Sequence, residues 1–248
     1  MVVEICVDSV ESAIAAARGG ADRIELCSAL SEDGITPSAG LIGAVRNAVT
    51  IDVFVMIRPR GGGFVYSRHE LDVMRRDILD AKARGANGVV LGVLTPEAAV
   101  DRACTQSLIA LARPLQVTFH KAFDACSNMD RALEDIVACG ADRLLTSGGR
   151  EDAIRGAETI ATLTQKAGSR IRIIAAGGIR AANVRHIVHQ TGAHEVHTSL
   201  NTGARIASSL GGDEVFAAPG EANSFYVTER DVRAFKAALS QDAAPLVR

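Results

Sequence analysis

Gly19-Gly-Ala-Asp-Arg-Ile-Glu-Leu-Cys27 is a segment whose plan recurs three more times along the chain. The copies are Gly85-Ala-Asn-Gly-Val-Val-Leu91, Gly140-Ala-Asp-Arg-Leu-Leu-Thr146 and Gly192-Ala-His-Glu-Val-His-Thr198. In each copy, a glycine that can adopt the left-handed conformation ends a helical pattern, a short polar pair follows, and an apolar run of strand length comes last. Each copy therefore predicts the end of a helix, a tight turn and a buried strand.

The spacing of the copies predicts how many strands the fold contains. Successive copies begin about 50 to 65 residues apart, roughly twice the length of one strand and one helix with their loops. Each interval should therefore hold two strand–helix units, which gives eight units in all. Eight alternating units favour a parallel sheet that closes into a (β/α)8 TIM barrel, a fold with a usual length of about 250 residues. We therefore predict a single α/β domain over residues 1–248.

Composition and charge exclude several classes of partner. The chain has 48% apolar residues and a formal net charge of −2, so no basic surface for nucleic acid or for an acidic membrane is expected. A strand pattern begins at Val2 without a signal region, and no uncharged apolar run approaches membrane-spanning length, which predicts a cytoplasmic protein. The five cysteines form no Cys-x-x-Cys motif and predict reduced thiols rather than disulfides or a zinc ribbon.

Local signals place the individual elements. Proline and capping residues predict helix starts at Thr36-Pro37, the capping box Ser67-Arg-His-Glu70, Thr95-Pro96, Ser127 and Thr228. The polar segment between residues 200 and 228 has no periodicity and predicts a long loop after strand 8. The predicted strands cover residues 2–7, 23–27, 53–58, 88–93, 115–120, 142–147, 172–176 and 195–199.

Alternation along each strand assigns its two faces. In strand 1, Val3, Ile5 and Val7 should face the helices, so Glu4 and Cys6 point into the barrel. The same alternation turns five ionisable side chains inward near the C-terminal mouth, where barrels of this kind carry their chemistry. These candidate catalytic residues are Glu4, Glu25, Arg58, His120 and His197.

The five side chains allow two interpretations. Carboxylates beside histidines can act as general acids and bases, since neighbouring charges move the pKa of a histidine through the neutral range. Alternatively, Glu4, Glu25 and Arg58 could form a buried ion network that only fills the lumen. Because desolvated charges are costly and structural barrel cores are built from Val, Ile and Leu, the sequence favours a site, with Arg58 as the charge partner of the carboxylates.

Two glycine-rich loops are candidate anion-binding segments. Gly177 and Gly178 follow strand 7, where many barrels offer backbone N–H groups to a phosphate, but they could equally serve a tight turn. The loop Arg60-Gly-Gly-Gly63 could be an anion-binding flap with Arg58 and Arg60 beneath it, or only a flexible connection. Asp124 is either a loop-capping residue or a further carboxylate at the mouth.

Cys6 and Cys27 are a candidate metal pair. They lie at corresponding positions on adjacent strands, and neighbouring strands are about 5 Å apart, so their sulfurs can approach one another. Two soft thiolates suit Cu(I). The alternative is that both residues are small buried hydrophobic groups without a ligand, since the motif contains no third soft donor.

Several segments together resemble one protein family. They are Glu4-Ile-Cys-Val-Asp-Ser-Val-Glu-Ser-Ala13, Gly19-Gly-Ala-Asp-Arg-Ile-Glu-Leu-Cys27, Thr36-Pro-Ser38, Val55-Met-Ile-Arg-Pro-Arg-Gly-Gly62, Val117-Thr-Phe-His-Lys-Ala-Phe-Asp124, Leu145-Thr-Ser-Gly148 and Glu195-Val-His197. The sequence thereby resembles the copper homeostasis protein CutC family. The resemblance implies a cytoplasmic TIM barrel, a homo-oligomer (dimer or tetramer) and copper handling through cysteine-bound Cu(I). Lys121 stands where the family usually has arginine, which keeps the charge but not the planar fork.

Two functions from different classes follow from these patterns. The first is a cytoplasmic copper homeostasis protein that binds Cu(I) through Cys6 and Cys27. The second is a TIM-barrel enzyme that acts on a small anionic or phosphorylated metabolite at the polar mouth. The expected ligand is accordingly a copper ion or a small anion, and neither nucleic acid nor a membrane is expected as a partner.

Overall fold

The strands form a closed barrel. The computed structural model describes residues 1–200, 203–204 and 225–240. Within these residues, eight parallel strands lie side by side in chain order, and β8 pairs with β1 to complete the circle. They are β1 Val2–Val7, β2 Arg23–Leu26, β3 Asp52–Met56, β4 Gly88–Leu91, β5 Gln116–Phe119, β6 Arg143–Thr146, β7 Arg172–Ala175 and β8 Glu195–Thr198. The predicted eight-stranded TIM barrel is confirmed.

In the described part of the chain, eight α-helices surround the strands. They are α1 Val10–Arg18, α2 Ala39–Ala48, α3 Arg68–Ala83, α4 Arg102–Ala112, α5 Met129–Cys139, α6 Ala157–Ala167, α7 Val184–Thr191 and α8 Glu229–Ser240. The main core lies between strands and helices, where Val3, Ile5, Val7, Ile24 and Leu26 are fully buried. Burial removes their apolar surface from water and stabilises the closed barrel. None of the helices in the described ranges is long and apolar enough to cross a membrane.

The repeated glycines have the conformation that the sequence pattern requires. The backbone φ angles are 90° at Gly20, 78° at Gly85, 85° at Gly140 and 64° at Gly192. A residue with a side chain would be strained in this left-handed region. Four helix–turn–strand joints therefore share one glycine-dependent turn, which explains why the segment that begins at Gly19 recurs.

The polar residue two positions after each glycine ties strands together at the N-terminal edge of the barrel. In three copies, its side-chain oxygen accepts a hydrogen bond from a backbone N–H of the preceding odd-numbered strand. The bonds join Val3 N–H to Asp22 Oδ2 at 2.8 Å, Val53 N–H to Asn87 Oδ1 at 3.0 Å and Val117 N–H to Asp142 Oδ2 at 2.7 Å. The fourth copy has His194, whose carbonyl accepts from Val2 N–H at 3.3 Å. The repeat thus encodes strand pairing as well as the turn.

Two predicted helix starts differ by one or two residues from the structure. Helix α2 begins after Ser38, not after Thr36, because the Thr36 hydroxyl accepts from Arg58 N–H at 2.9 Å. Helix α5 begins after Asn128, whose side chain caps the first turn. The Ser127 hydroxyl instead donates to backbone carbonyls of a neighbouring loop. Both predicted caps are used to fasten loops rather than helices.

The predicted start of helix α4 at Thr95-Pro96 is wrong. An antiparallel bridge between Leu94 and Val100 occupies this part of the chain, so the helix begins only after Asp101. The Asp101 carboxylate accepts from Cys104 N–H at 3.0 Å and caps the first turn. The capping predictions at Ser67 and Thr228 are confirmed.

After β8 the chain returns to the barrel as helix α8. The predicted long loop between residues 200 and 228 lies mostly outside the described residues. Its described parts include Gly203–Ala204 (β9) and Phe225–Tyr226 (β10), which pair antiparallel. Helix α8 then packs against the end of α1, where a side chain on Gly19 would collide with Val232. Gly19 is therefore required for helix packing.

Candidate functional site

A cavity of about 410 Å³ opens at the C-terminal mouth of the barrel. Its wall contains most of the residues that the sequence pattern selected, namely Cys6, Glu25, Arg58, His120, Gly177, Gly178 and His197. Glu4 lies one layer deeper, in contact with His197. Arg60 does not belong to the wall formed by the described residues. The structure therefore places four of the five candidate catalytic side chains around one cavity and the fifth directly behind them.

Cys6 and Cys27 approach each other across β1 and β2, and we call them the sulfur pair. Their sulfurs are 3.9 Å apart and both thiols are buried. Glu25 Oε2 lies 3.5 Å from Cys27 Sγ, so the Cys27 S–H has two acceptors within reach. A hydrogen bond from Cys27 and the charge of His197 outweigh burial and lower the pKa of the Cys6 thiol to about 6. The bond to Cys6 and burial raise the pKa of Cys27, so Cys6 is the thiolate at neutral pH.

His197 links the sulfur pair to the two carboxylates. Its Nδ1 lies 2.7 Å from Glu4 Oε1, and its Nε2 lies 3.8 Å from Glu25 Oε2. Burial disfavours the charged ring, but Glu25, Cys6 and Glu4 outweigh burial and raise the pKa of His197 well above its usual value. Burial, with the charges of Cys6 and Glu4, raises the pKa of Glu25 to about 8. The ring is therefore an imidazolium that offsets the negative charges around it.

Two overlapping groups of side chains in the described residues have donor atoms for a metal ion. The first is Cys6, Glu25 and Cys27, and the second is Glu4, Glu25 and His197, with ligand atoms of each group within 4.8 Å of one another. A protonated imidazole has no lone pair for a metal. The first group also supplies soft sulfur donors. The sulfur pair with Glu25 is therefore the better candidate for a soft ion.

A second set of charged side chains closes the lumen below the cavity. Arg23 contacts Glu4 through Nε and reaches Glu195 Oε2 through Nη2 at 2.7 Å. Arg143 Nε lies 3.1 Å from the same Glu195 oxygen. Both guanidinium groups stand over the ring of Phe54, 4.8 Å and 5.2 Å from its centroid, which adds cation–π attraction. We call these five residues the floor network.

Arg23 is the charge partner of Glu4, a role that the sequence pattern assigned to Arg58. Burial disfavours the Glu4 carboxylate, but Arg23 and His197 outweigh burial and hold the pKa at about 2. Alternation along β2 places Arg23 on the same face as Glu25, so the signal was present in the sequence. The interpretation as a buried ion network is therefore correct for Glu4, but with a different arginine.

Arg58 lies just beyond the end of β3, so its side chain reaches surrounding loops instead of the lumen carboxylates. Its Nη1 donates to the carbonyls of Glu32 and Gly34, the latter at 2.9 Å, and its Nη2 donates to the carbonyl of Gly62 at 2.8 Å. Three backbone carbonyls thus accept hydrogen bonds from the two Nη groups of the guanidinium. The prediction that Arg58 pairs with the carboxylates is wrong, although Arg58 does line the cavity.

Arg60 fastens its own loop and does not face a mouth-bound anion. Its Nε lies 2.5 Å from Glu70 Oε1, and its Nη atoms donate to the carbonyls of Gly63 and Val65, each at 2.9 Å. The guanidinium also stands 5.1 Å from the centroid of the Tyr66 ring. The prediction that Arg60 contacts an anion at the mouth is therefore corrected, because Glu70 of the capping box already pairs with its guanidinium.

Gly177 and Gly178 lie in the cavity wall with φ angles of 101° and 65°. Among the described residues, neither backbone N–H has an acceptor, whereas the Gly177 carbonyl accepts from Ala153 N–H at 3.0 Å. A side chain at Gly177 would lie 3.1 Å from Ser147 Cβ. The two glycines therefore serve a tight turn, and their use as an anion-binding segment stays a prediction.

Asp124 is a loop-capping residue. One carboxylate oxygen accepts from the Thr146 hydroxyl and from Gly149 N–H at 2.8 Å. The other accepts from Ser147 N–H at 3.0 Å and from the Ser147 hydroxyl at 3.1 Å. Four donors occupy the carboxylate, which ties the loop after β5 to the loop after β6 and leaves it outside the cavity chemistry.

Residues 1–202 match the model of the CutC family. The chain belongs to the CutC family. A copper homeostasis protein cutC homolog from Homo sapiens is 50% identical over 200 residues, which cover 81% of this chain and 73% of that protein. A CutC family protein from Xylella fastidiosa strain 9a5c is 47% identical over 200 residues, which cover 81% of this chain and 75% of that protein.

Solved structures share the barrel. The crystal structure of a CutC protein from Streptococcus agalactiae is 34% identical with a TM-score of 0.76, covering 79% of this chain and 97% of that one. Thiamine phosphate pyrophosphorylase from Pyrococcus furiosus has a TM-score of 0.58 at 18% identity, covering 96% of this chain and 95% of that one, and shows the fold alone. The sulfur pair and the other described cavity residues lie within the segment that matches the CutC family.

Proposed function

We propose that this member of the CutC family binds Cu(I) between Cys6 and Cys27. The 3.9 Å separation of the two sulfurs carries the proposal. Because a metal–thiolate bond is about 2.3 Å long for zinc, one ion of similar size can reach both sulfurs without displacement of the strands. Soft thiolates are the donors that Cu(I) prefers. The names of the relatives, which describe copper homeostasis, agree with this assignment.

The charges around the sulfur pair support a monovalent copper ion. Cys6 supplies one thiolate at neutral pH, since its pKa is about 6. Cys27 must lose its proton to solvent in order to bind, because Glu25, 3.5 Å from its sulfur, has a pKa of about 8 and is itself protonated at neutral pH. The imidazolium of His197 then offsets part of the negative charge of two thiolates. These residues would hold the ion in a buried position away from bulk water.

An anaerobic titration of the reduced chain against a competing Cu(I) chelator tests the proposal. We expect one tightly bound Cu(I) per chain, and loss of that ion in Cys6→Ser and in Cys27→Ser, because a protonated hydroxyl is a poor ligand for a soft ion. The matched controls are Cys104→Ser, Cys126→Ser and Cys139→Ser, which should bind like the unmodified chain. Equal losses in all five variants would show unspecific thiol binding and contradict the assignment.

A second candidate is an enzyme that acts on a small anionic or phosphorylated metabolite in the same cavity. The favouring observation is that Glu25, with its pKa raised to about 8, and His197 line one cavity together with Arg58 and His120. A few convergent polar groups in a cavity of this size are typical of small-molecule sites. In this function Glu25 would exchange the proton and Glu4 would orient His197. Turnover of a phosphorylated or carboxylated metabolite that is lost in Glu25→Gln would support it.

We also infer that the chain is a single domain over residues 1–248, acts in the cytoplasm and forms a homo-oligomer, a dimer or a tetramer. Five free cysteines support a reducing compartment, and the family resemblance supports self-association. Cell fractionation measures the location, and sedimentation equilibrium of the purified chain measures the oligomeric state. Secretion of the protein, or a monomer at all concentrations, would contradict the respective inference.

A further inference from the structure

His120 carries a buried hydrogen-bond donor without an acceptor. The side chain is 4% exposed and lines the cavity. Its Nδ1 accepts from Ala122 N–H at 3.1 Å, so a neutral ring must carry its proton on Nε2. Burial and the nearby charge of Arg58 lower the pKa of His120 to about 3, which keeps the ring neutral. Among the described residues, Nε2 has no hydrogen-bond partner.

Arg58 provides a second donor of the same kind. Its side chain is 3% exposed and also lines the cavity. Three backbone carbonyls accept from its Nη atoms, but the described structure offers no partner to its Nε, which always carries a proton. Buried donors are nearly always satisfied in folded proteins by protein, water or ligand. Two such donors in one cavity wall indicate a missing acceptor.

Neighbouring residues fix both donors in place. The His120 ring centroid lies 5.0 Å from that of Phe64, and the Arg58 guanidinium carbon lies 5.2 Å from the same Phe64 ring. A side chain at Gly92 would approach His120 Cε1 to 2.5 Å, so the absence of one leaves room for the imidazole. The two side chains thus pack around one aromatic ring, on a part of the wall built by loops and strand ends other than those of the sulfur pair.

We propose that His120 Nε2–H and Arg58 Nε–H form a subsite that binds the carboxylate of a small organic acid. Arg58 contributes one buried positive charge and the neutral His120 contributes none, which suits a monoanionic carboxylate better than a phosphate with nearly two charges. Lys121, Arg180 and the His197 imidazolium also line the cavity and favour an anion, against the acidic Asp33. This proposal rests on the second candidate function, the enzymatic one, and specifies the class of ligand that the enzyme would bind. Cu(I) binding to the sulfur pair is measured in a separate experiment.

The tautomer of His120 gives the first test. The full-length reduced chain, labelled with ¹⁵N-histidine and kept free of metal, is titrated with pyruvate, acetate and inorganic phosphate and followed by NMR. We expect a neutral ring protonated at Nε2 before addition, and a saturable shift of that signal with pyruvate and acetate but not with phosphate. A ring protonated at Nδ1, a shift with phosphate alone, or no saturable shift with either carboxylate would overturn the proposal.

Variants give the second test, with pyruvate affinity measured by calorimetry. His120→Phe keeps an aromatic ring without a donor, and Arg58→Lys keeps the charge without Nε. Each should weaken binding by roughly tenfold or more, the effect of losing one hydrogen bond to a charged group. The matched controls are His186→Phe, an exposed histidine on α7, and Arg60→Lys, whose guanidinium packs on Tyr66 outside the cavity.

Unchanged affinity in both His120→Phe and Arg58→Lys would overturn the subsite. If either variant fails to fold, the tautomer and titration of the unmodified chain still decide the question. Loss of pyruvate binding with intact Cu(I) stoichiometry would separate the carboxylate subsite from the copper proposal. Tight carboxylate binding without any turnover would support the subsite and contradict the enzymatic candidate.

Discussion

The floor network and the mouth of the same barrel both contain buried charged side chains, but they differ in the partners of those groups. In the floor network, Arg23 and Arg143 converge on Glu195, and Phe54 packs against both guanidinium groups, although Arg143 Nη1 has no hydrogen-bond partner in the described structure. At the mouth, Cys6 lines a cavity of about 410 Å³ together with Arg58 and His120, each of which carries an N–H donor without an acceptor in the described structure. Charges that mainly pair with one another stabilise the barrel, whereas donors around the larger cavity at the mouth are available to a ligand.

The largest effect is expected when the floor network loses its central arginine. Arg23→Met leaves Glu4 with no arginine partner and removes one of the guanidinium contacts of Glu195, and both carboxylates are buried. We expect a loss of up to about 3–5 kcal/mol in the free energy of unfolding, because a buried ion network loses its central cation, although Glu4 keeps His197 and Glu195 keeps Arg143. Urea unfolding at neutral pH measures the loss.

Two further variants make the test of the floor network specific. Arg76→Met removes an exposed pair with Asp72 on α3 and should leave the stability almost unchanged. Replacing Glu4 and Glu195 by glutamine in the Arg23→Met background should recover part of the lost stability. If Arg23→Met and Arg76→Met had equal effects, the distinction between a stabilising floor and a binding mouth would fail.

Two glycines on the same side of β4 and its extension separate the regions further. An added Cβ at Gly88 would lie 2.6 Å from the Phe54 ring in the floor, and one at Gly92 would lie 2.5 Å from His120 at the mouth. Each alanine variant should lose about 1–3 kcal/mol of unfolding free energy through overpacking. Only Gly92→Ala should move the NMR signal of His120. A comparable shift in Gly88→Ala would mean that the two layers are mechanically coupled.

The two regions should also lose stability in different pH windows. Burial and Arg58 lower the pKa of His120 to about 3, so between pH 6.5 and about 3 the unfolded chain binds a proton that the folded chain does not. This histidine therefore destabilises the fold as pH falls through that window, by about 1.4 kcal/mol per pH unit. Glu4, with its pKa held at about 2, contributes stability above pH 4.5 that is lost only between pH 4.5 and about 2.

Unfolding free energies at pH 7 and pH 5 check the contribution of His120. The loss on acidification should be about 2 kcal/mol smaller in His120→Phe than in the unmodified chain. His186→Phe, which changes an exposed histidine, is the control and should keep the original pH dependence. An identical pH dependence in all three proteins would mean that His120 is freely protonated in the folded state.

Strand alternation predicted the residues that lie inside strands and failed where the strands end. Glu4, Cys6 and Glu25 follow from the repeat and the two-residue period, because a slip by one residue would bury the wrong face. Arg23 has the same period and also points into the barrel, where it contacts Glu4. Arg58 lies beyond β3, where three loop carbonyls decide its direction, and no local pattern in the sequence encodes those contacts.

Capping signals show the same limit. Ser67 and Thr228 cap helices as predicted because the residues that they bond are three positions away. Thr95-Pro96 has an equally good local pattern, but a bridge between Leu94 and Val100 uses the segment first. Local chemistry therefore predicts an element only where no distant partner competes for the same backbone groups.

The smallest effect on the stability of the metal-free chain is expected at the sulfur pair. Cys6→Ser replaces a thiolate by a smaller neutral group that can still bond to its neighbours, so the loss should be about 1 kcal/mol. At a free Cu(I) concentration one hundred times the dissociation constant, the unmodified chain should gain about 2.7 kcal/mol and Cys6→Ser nothing. Cys139→Ser, a buried cysteine outside the mouth, should keep the full gain.

Chelator-buffered Cu(I) with urea unfolding measures both quantities in one series. If the metal-free Cys6→Ser chain lost as much stability as Arg23→Met, the sulfur pair would be a packing element, and the interpretation of Cys6 and Cys27 as buried hydrophobic residues would be correct. A small loss without copper and a missing gain with copper would instead show that the strands hold these sulfurs 3.9 Å apart for an ion. The buried charges of the floor network would then stabilise the folded chain by themselves, whereas the sulfur pair would stabilise it only when copper is bound.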